Sequence, residues 1–268
     1  MILVLSQTIA VLGVGLLMNF GCTEMTGNFF ASILYILLTF LLIKLVLEKF
    51  CSLKCGDFGL SAFRLKTKWV VLGLLLPLAV SAFYLLFVPG ELSFSDFGSY
   101  ELKVIVSGGL CFSSIAAGFV EEMVFRGVIF NSLKKAWNTK VAVIVPSVLF
   151  GAVHVLGMNF SLLSSVVVIL AGTAVGVMFS LITVESGAVW SNGFVHALWN
   201  AIIIAGFLSI SRDPEMEFLA AYSIHSDSFL ITGGEFGIES SVIALAGYII
   251  VSVIAFMMIR NKNSHSQP

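Results

Sequence analysis

The chain has 268 residues, of which 59% are hydrophobic and only 11% charged, and its formal net charge is −1. A soluble domain is nearer one quarter charged because its surface must be wetted, so this composition excludes a water-soluble globule. The near-neutral balance also excludes a nucleic-acid partner, which would require a basic face.

Apolar runs of the length that crosses a bilayer, roughly 20 residues, recur at about 2–20, 29–47, 69–88, 104–131, 141–158, 161–182, 187–209 and 239–259. They are continuous rather than alternating, and backbone groups in lipid must be satisfied internally, so helix is expected for each. The first run is read as a retained helix rather than a cleaved leader, since no Lys or Arg precedes Lys44 and no Ala-x-Ala-like exit follows it. Gly172 and Gly176 in the sixth run have the small-xxx-small spacing of close helix packing. Cys51 and Cys55 share a connection with no His or second Cys pair to complete a zinc knuckle.

The cations sort between alternate connections. Lys49, Lys54, Arg64, Lys66 and Lys68 follow the second run, with Lys44 at its edge; Lys134, Lys135 and Lys140 follow the fourth; Arg260 and Lys262 follow the last. The other connections hold Lys103 and Arg212 among Glu24, Glu91, Asp96, Glu101, Asp213, Glu215, Glu217, Asp227, Glu235 and Glu239. By the positive-inside rule both termini are cytoplasmic, which requires an even number of spans. The expectation is therefore an all-α fold: a polytopic membrane helical bundle of about eight transmembrane helices, one multi-pass domain over 1–268 in the cell membrane.

Glu121, Glu122 and Arg126 on the fourth run, His154 on the fifth, and His196 and Asn200 on the seventh remain inside spans. Each needs a partner or a purpose, because a charged group at the bilayer centre costs at least ~2.5–3.5 kcal/mol. At 1.5 Å per residue from the cytoplasmic end, Glu121 and His196 lie about 14–15 Å deep, and His154 and Asn200 about 20 Å. Glu122 and Arg126 stand four apart with the acid first, the favourable order for an intrahelical ion pair, which makes them structural support. Glu121 is turned about 100° away on the wheel and left for chemistry. Phe150, one turn before His154, is placed to pack on its ring.

Together these groups form a hydrolytic set. Glu121 takes a proton from water that His154 helps to hold, while His196 and Asn200 donate to the oxyanion of a tetrahedral intermediate. No cofactor is needed in this form. The alternative binds one zinc through His154, His196 and Glu121 with an open position for water.

Glu121-Glu122-Met123-Val124-Phe125-Arg126, Phe150-Gly151-Ala152-Val153-His154 and His196-Ala197-Leu198-Trp199-Asn200 resemble, in order, the Glu-Glu-x-x-x-Arg, Phe-x-x-x-His and His-x-x-x-Asn elements of the CAAX-protease and bacteriocin-processing (CPBP, or Abi) family. The resemblance covers a core of about 104–209 by motif. It implies an intramembrane endopeptidase hydrolysing a peptide bond near the cytoplasmic side, acting on a peptide or lipid-modified protein presented by membrane lipid. It assigns catalysis to Glu121, His154, His196 and Asn200. Family members are described both as metalloproteases and as glutamate-dependent proteases, and bacterial relatives are linked to peptide maturation and bacteriocin immunity. Thr232-Gly233-Gly234-Glu235-Phe236-Gly237 also resembles stretches near the last helix of such relatives. Other classes stay open: a proton- or ion-coupled transporter with Glu121 and the histidines as a relay, a cytochrome with His154 and His196 as axial ligands, or a non-catalytic immunity protein.

Overall fold

Eight apolar helices form at the positions of the eight hydrophobic runs. They are α1 (Ile2–Met18), α2 (Glu24–Leu45), α3 (Thr67–Phe87), α4 (Ser99–Ala136), α5 (Thr139–Val153), α6 (Leu162–Ser186), α7 (Trp190–Ile203) and α8 (Val242–His265). The structure, a computed structural model, describes residues 1–60, 63–214 and 218–265; Glu215 and Glu217 of the acidic connections lie outside the described residues. Side chains of Thr23, Asn138 and Ser161 accept first-turn N–H groups and start α2, α5 and α6.

Among the described residues, five helices are long and apolar enough to cross a membrane: α2 with its extension to Phe50, α3, α4, α6 and α8. The chain is a helical multi-pass membrane protein. The remaining three apolar helices are shorter than the expected eight full crossings require. α5 and α7, with 15 and 14 residues, are about 21–23 Å long at 1.5 Å per residue, against ~30 Å of hydrocarbon. Leu12, Leu86, Phe87, Leu162 and Phe256 are among many large apolar side chains left exposed around the bundle, as a lipid-facing surface requires.

Glycines bring the central helices together. A Cβ on Gly172 would stand 2.6 Å from Gly151 Cα, and one on Gly176 would stand 2.8 Å from Ser147 Cα, so α5 and α6 meet backbone to backbone. The Gly172–Gly176 spacing thus marks a real contact. Gly118 does the same between α4 and α7, where a Cβ would lie 2.8 Å from Ala197 N. Within α4, π-helical turns at Gly108–Ala116 and Met123–Ile129 flank the α-helical Ala117–Glu122. Widened turns of this kind change which side chains share a face and often occur at functional sites.

The two ends of the bundle differ in charge. At the basic end the buried Glu185 carboxylate, on the last turn of α6, receives Lys66 at 3.1 Å, Lys68 at 2.8 Å and Lys262 at 2.5 Å, and Trp69 Nε1 donates to it at 2.8 Å. Both α1, antiparallel to α2 through Ser6 and Thr39 hydroxyls 2.7 Å apart, and α8, through Lys262, have their outer ends here. At the acidic end a small sheet corrects the all-α expectation. β1 (Gly90–Phe94), β2 (Leu208–Ser211) and β3 (Ala220–Ile224) are ordered β1-β3-β2. β1 pairs antiparallel to β3 with Leu92 opposite Tyr222, and β2 runs parallel to β3 with Ile210 opposite Tyr222. These strands of four or five residues are too short to display a period in sequence. They lie in the connections between helices, β2 beginning in the last residues of the seventh apolar run, where a sheet edge need not face lipid.

Candidate active site

The close approach at Gly118 sets α4 against α7, and two adjacent glutamates on α4 then meet different surroundings. Glu122 is fully buried. Its Oε1 accepts from Arg126 at 2.9 Å and from His196 Nδ1 at 3.0 Å, and its Oε2 accepts from the Asn192 side-chain amide. Arg126, equally buried, donates its other arm to the Gly176 carbonyl at 3.1 Å and lies over the Phe150 and Phe179 rings at 4.6 and 5.2 Å. The i, i+4 pair read from sequence is therefore formed, and it also braces α6 and α7. Glu121 is about one quarter exposed, and its Oε2 stands 3.9 Å from His196 Nε2, beyond a direct hydrogen bond.

The histidines are oriented from behind. His196 stacks on Phe179 with centroids 4.8 Å apart, and its Nδ1–H points to Glu122, so Nε2 is the atom presented beside Glu121. His154 donates Nδ1–H to the Phe150 carbonyl at 2.6 Å. A carbonyl can only accept, so the Nδ1 proton leaves Nε2 of the neutral ring with a lone pair. The Phe150 ring packs on His154 at 4.7 Å, as its spacing predicts. Asn200 uses one amide hydrogen on the Ser113 carbonyl at 2.9 Å, in a π-helical turn of α4, and a second amide hydrogen remains.

Glu121, His154, His196 and Asn200 all line one cavity of about 140 Å³. Phe150 lines it too, whereas Glu122 and Arg126 stand behind it as support. Two further lining residues, Phe236 and Glu239, come from the connection after β3, which sequence separation had set apart from the chemistry. Asn192 was also missed, although it stands one turn before His196 on the stripe 192, 196, 200; that spacing was the available signal.

The site lies deep in the bundle, in keeping with the depths counted from the basic end. α5 starts at the basic end and stops at Val153, so His154 is at its far end rather than inside a span to 158. The cavity is walled by Val168, Ala171 and Gly172 of α6, by the second half of α7, by Tyr248 of α8 and by the 236–239 connection. It occupies the half of the bundle nearer the acidic end. Among the described residues, no group of three His, Cys, Asp or Glu side chains is gathered closely enough to hold a metal ion. His154, His196 and Glu121, the set expected for zinc, do not form such a group in this geometry.

Residues 104–202 match the family model described as type II CAAX prenyl endopeptidase Rce1-like, so the resemblance drawn from the three motifs holds over this segment. A protein of Bacillus subtilis (strain 168) named "Putative membrane peptidase YdiL" is 28% identical over 124 residues, which are 46% of this chain and 45% of that protein. The chain therefore spans less than half the length of this curated relative. No solved structure matches the chain.

Proposed function

We propose that the chain is an intramembrane endopeptidase that hydrolyses a peptide bond with a water activated by Glu121. The observation that supports this most is the convergence of Glu121, His154, His196 and Asn200 on one cavity, with Glu121 left largely free while its neighbour Glu122 is consumed by Arg126, Asn192 and His196. A carboxylate with few fixed partners can exchange a proton; one held by three donors cannot.

In this reading water binds between Glu121 and the free Nε2 of His154. Glu121 removes a proton as the water oxygen attacks the scissile carbonyl carbon. The resulting oxyanion is met by the unused amide hydrogen of Asn200 and by His196 Nε2 when that ring carries both protons. The names of the matched family and of the relative, a CAAX prenyl endopeptidase and a membrane peptidase, favour a peptide or lipid-modified protein as substrate. The basic end, holding both outer helix ends, is read as cytoplasmic.

The test is cleavage of a quenched-fluorescent peptide library by the purified full-length protein in detergent, with and without chelator. Wild type is expected to cleave; Glu121→Gln, His154→Ala and His196→Ala are expected not to. Equal activity in all four proteins would end the proposal, and inhibition by chelator reversed by zinc would replace the metal-free mechanism.

A further inference from the structure

The cavity holds a second carboxylate that the mechanism above leaves unused. Glu239 sits on the single 3-10 turn Ile238–Ser240, delivered there by the glycine-rich segment that precedes it. Gly233, Gly234 and Gly237 have φ of 74°, 65° and 92°, left-handed values that favour glycine. A Cβ on Gly233 would fall 1.9 Å from the Gly237 carbonyl oxygen. Glu235 Oε2 accepts from the Ser161 N–H at 2.7 Å at the start of α6, and Ser240 Oγ donates to the Gly233 carbonyl at 2.6 Å. The segment is therefore a fixed strap across the cavity rather than a loose connection. Phe236 on it packs edge-on against His154 at 6.0 Å.

Glu239 Oε1 accepts from Trp199 Nε1 at 2.9 Å. Its backbone carbonyl accepts from the Tyr248 hydroxyl at 3.2 Å, and the Trp199 and Tyr248 rings pack at 5.1 Å. Among the described residues no other side-chain donor engages the carboxylate, which lines the cavity with Glu121 and both histidines. Trp199 is the residue before Asn200, so the strap is tied to the same helical turn that faces the scissile carbonyl.

Peptide hydrolysis has two proton requirements. One proton must leave the attacking water, and one must reach the departing nitrogen, because an amide anion is too poor a leaving group to depart unaided. Glu121 satisfies the first. Resting on the endopeptidase reading, we propose that Glu239 satisfies the second, as the general acid that protonates the amine leaving from the scissile bond. The water oxygen bonds to the carbonyl carbon while its proton passes to Glu121. As the oxyanion re-forms the carbonyl, the C–N bond breaks and the nitrogen takes the proton of the Glu239 carboxylic acid, leaving a carboxylate. The proton held by Glu121 then returns to Glu239 through solvent in the cavity, and the sum is amide plus water giving acid plus amine. Burial pushes the Glu239 carboxyl up; the Trp199 N–H and the two histidines oppose this, and Glu121 adds to it.

The experiment compares two probes on the purified full-length protein: a quenched-fluorescent peptide that wild type cleaves, and the p-nitrophenyl ester of its acyl half, whose phenolate departs without a proton. For Glu239→Gln the expected result is a fall in peptide kcat of about 10²–10⁴-fold, the usual contribution of general acid catalysis, with ester hydrolysis kept within about tenfold. Glu121→Gln is expected to lose both activities, since both need the activated water. A Glu239→Gln variant that loses both probes equally, or that cleaves the peptide at the wild-type rate, overturns the role of Glu239 while the endopeptidase reading stands. Full activity of Glu121→Gln on both probes overturns that reading, and the role of Glu239 with it.

Discussion

His196 and Glu122 are hydrogen-bonded across the α4–α7 contact, Nδ1 to Oε1 at 3.0 Å, so the carboxylate paired with Arg126 also fixes the imidazole that lines the cavity. Two consecutive glutamates thereby divide the work. Glu122 is spent on geometry, and Glu121, one residue earlier, is left largely free for the proton transfer proposed for it.

This division gives opposite outcomes for the two positions. Glu121→Gln removes a base at a partly open site and is expected to lower peptide turnover by about 10²–10⁴-fold. Its unfolding midpoint in detergent should stay within a few degrees of wild type. A loss of stability as large as the loss of activity would mean that Glu121 is a structural residue.

Glu122→Ala leaves Arg126 fully buried without its carboxylate. Removing one partner of a buried pair costs about 3–5 kcal/mol, so the variant is expected to unfold at a clearly lower temperature. A thermal scan in detergent measures this, and an unchanged midpoint would show that the pair carries no structural weight.

Gly172→Leu places a side chain where a single Cβ already comes within 2.6 Å of Gly151 Cα. Separating α5 from α6 moves Phe150 and His154 away from Phe179 and His196. The expectation is a stability loss of about 1–3 kcal/mol or more from overpacking together with loss of cleavage, read by the same scan and the peptide assay. Wild-type activity in this variant would show that the interface tolerates separation.

Much of this arrangement is legible in residue spacing. The eight apolar runs, the Glu122–Arg126 pair, the ring contact of Phe150 with His154 and the glycine contact of α6 all follow from helical period and length. What spacing hides is contact between elements distant in the chain. Nothing local to Glu239 reveals that its connection folds back over the bundle, because the device that folds it, a run of left-handed glycines anchored to Ser161, acts through backbone geometry. Likewise the end of α5 was set too late because a run of apolar residues to 158 does not disclose that the helix stops at Val153. The sheet was missed because strands of four or five residues show no periodicity.

The strap should respond to acid. The Ser161 N–H that Glu235 accepts holds its carboxyl below the ordinary carboxylate range. The folded value lies under the unfolded one, so its contribution is present above the unfolded value and lost as pH falls through the folded value. Hydrogen exchange at residues 229–241 is expected to quicken on acidification below about pH 4.5 in wild type. Glu235→Gln should exchange fast at every pH. Identical profiles for the two proteins would remove this anchor.

The wall supplied by Glu239 and Tyr248 has a consequence for biogenesis. A nascent chain that has emerged only through α7 already contains Glu121, His154, His196 and Asn200, yet its cleft still lacks one side. Lys262, near the end of α8, is also the last of the three lysines to reach Glu185. The last helix of the bundle therefore completes both the cavity wall, through Tyr248, and the lysine cluster on Glu185, and a chain truncated before α8 lacks both.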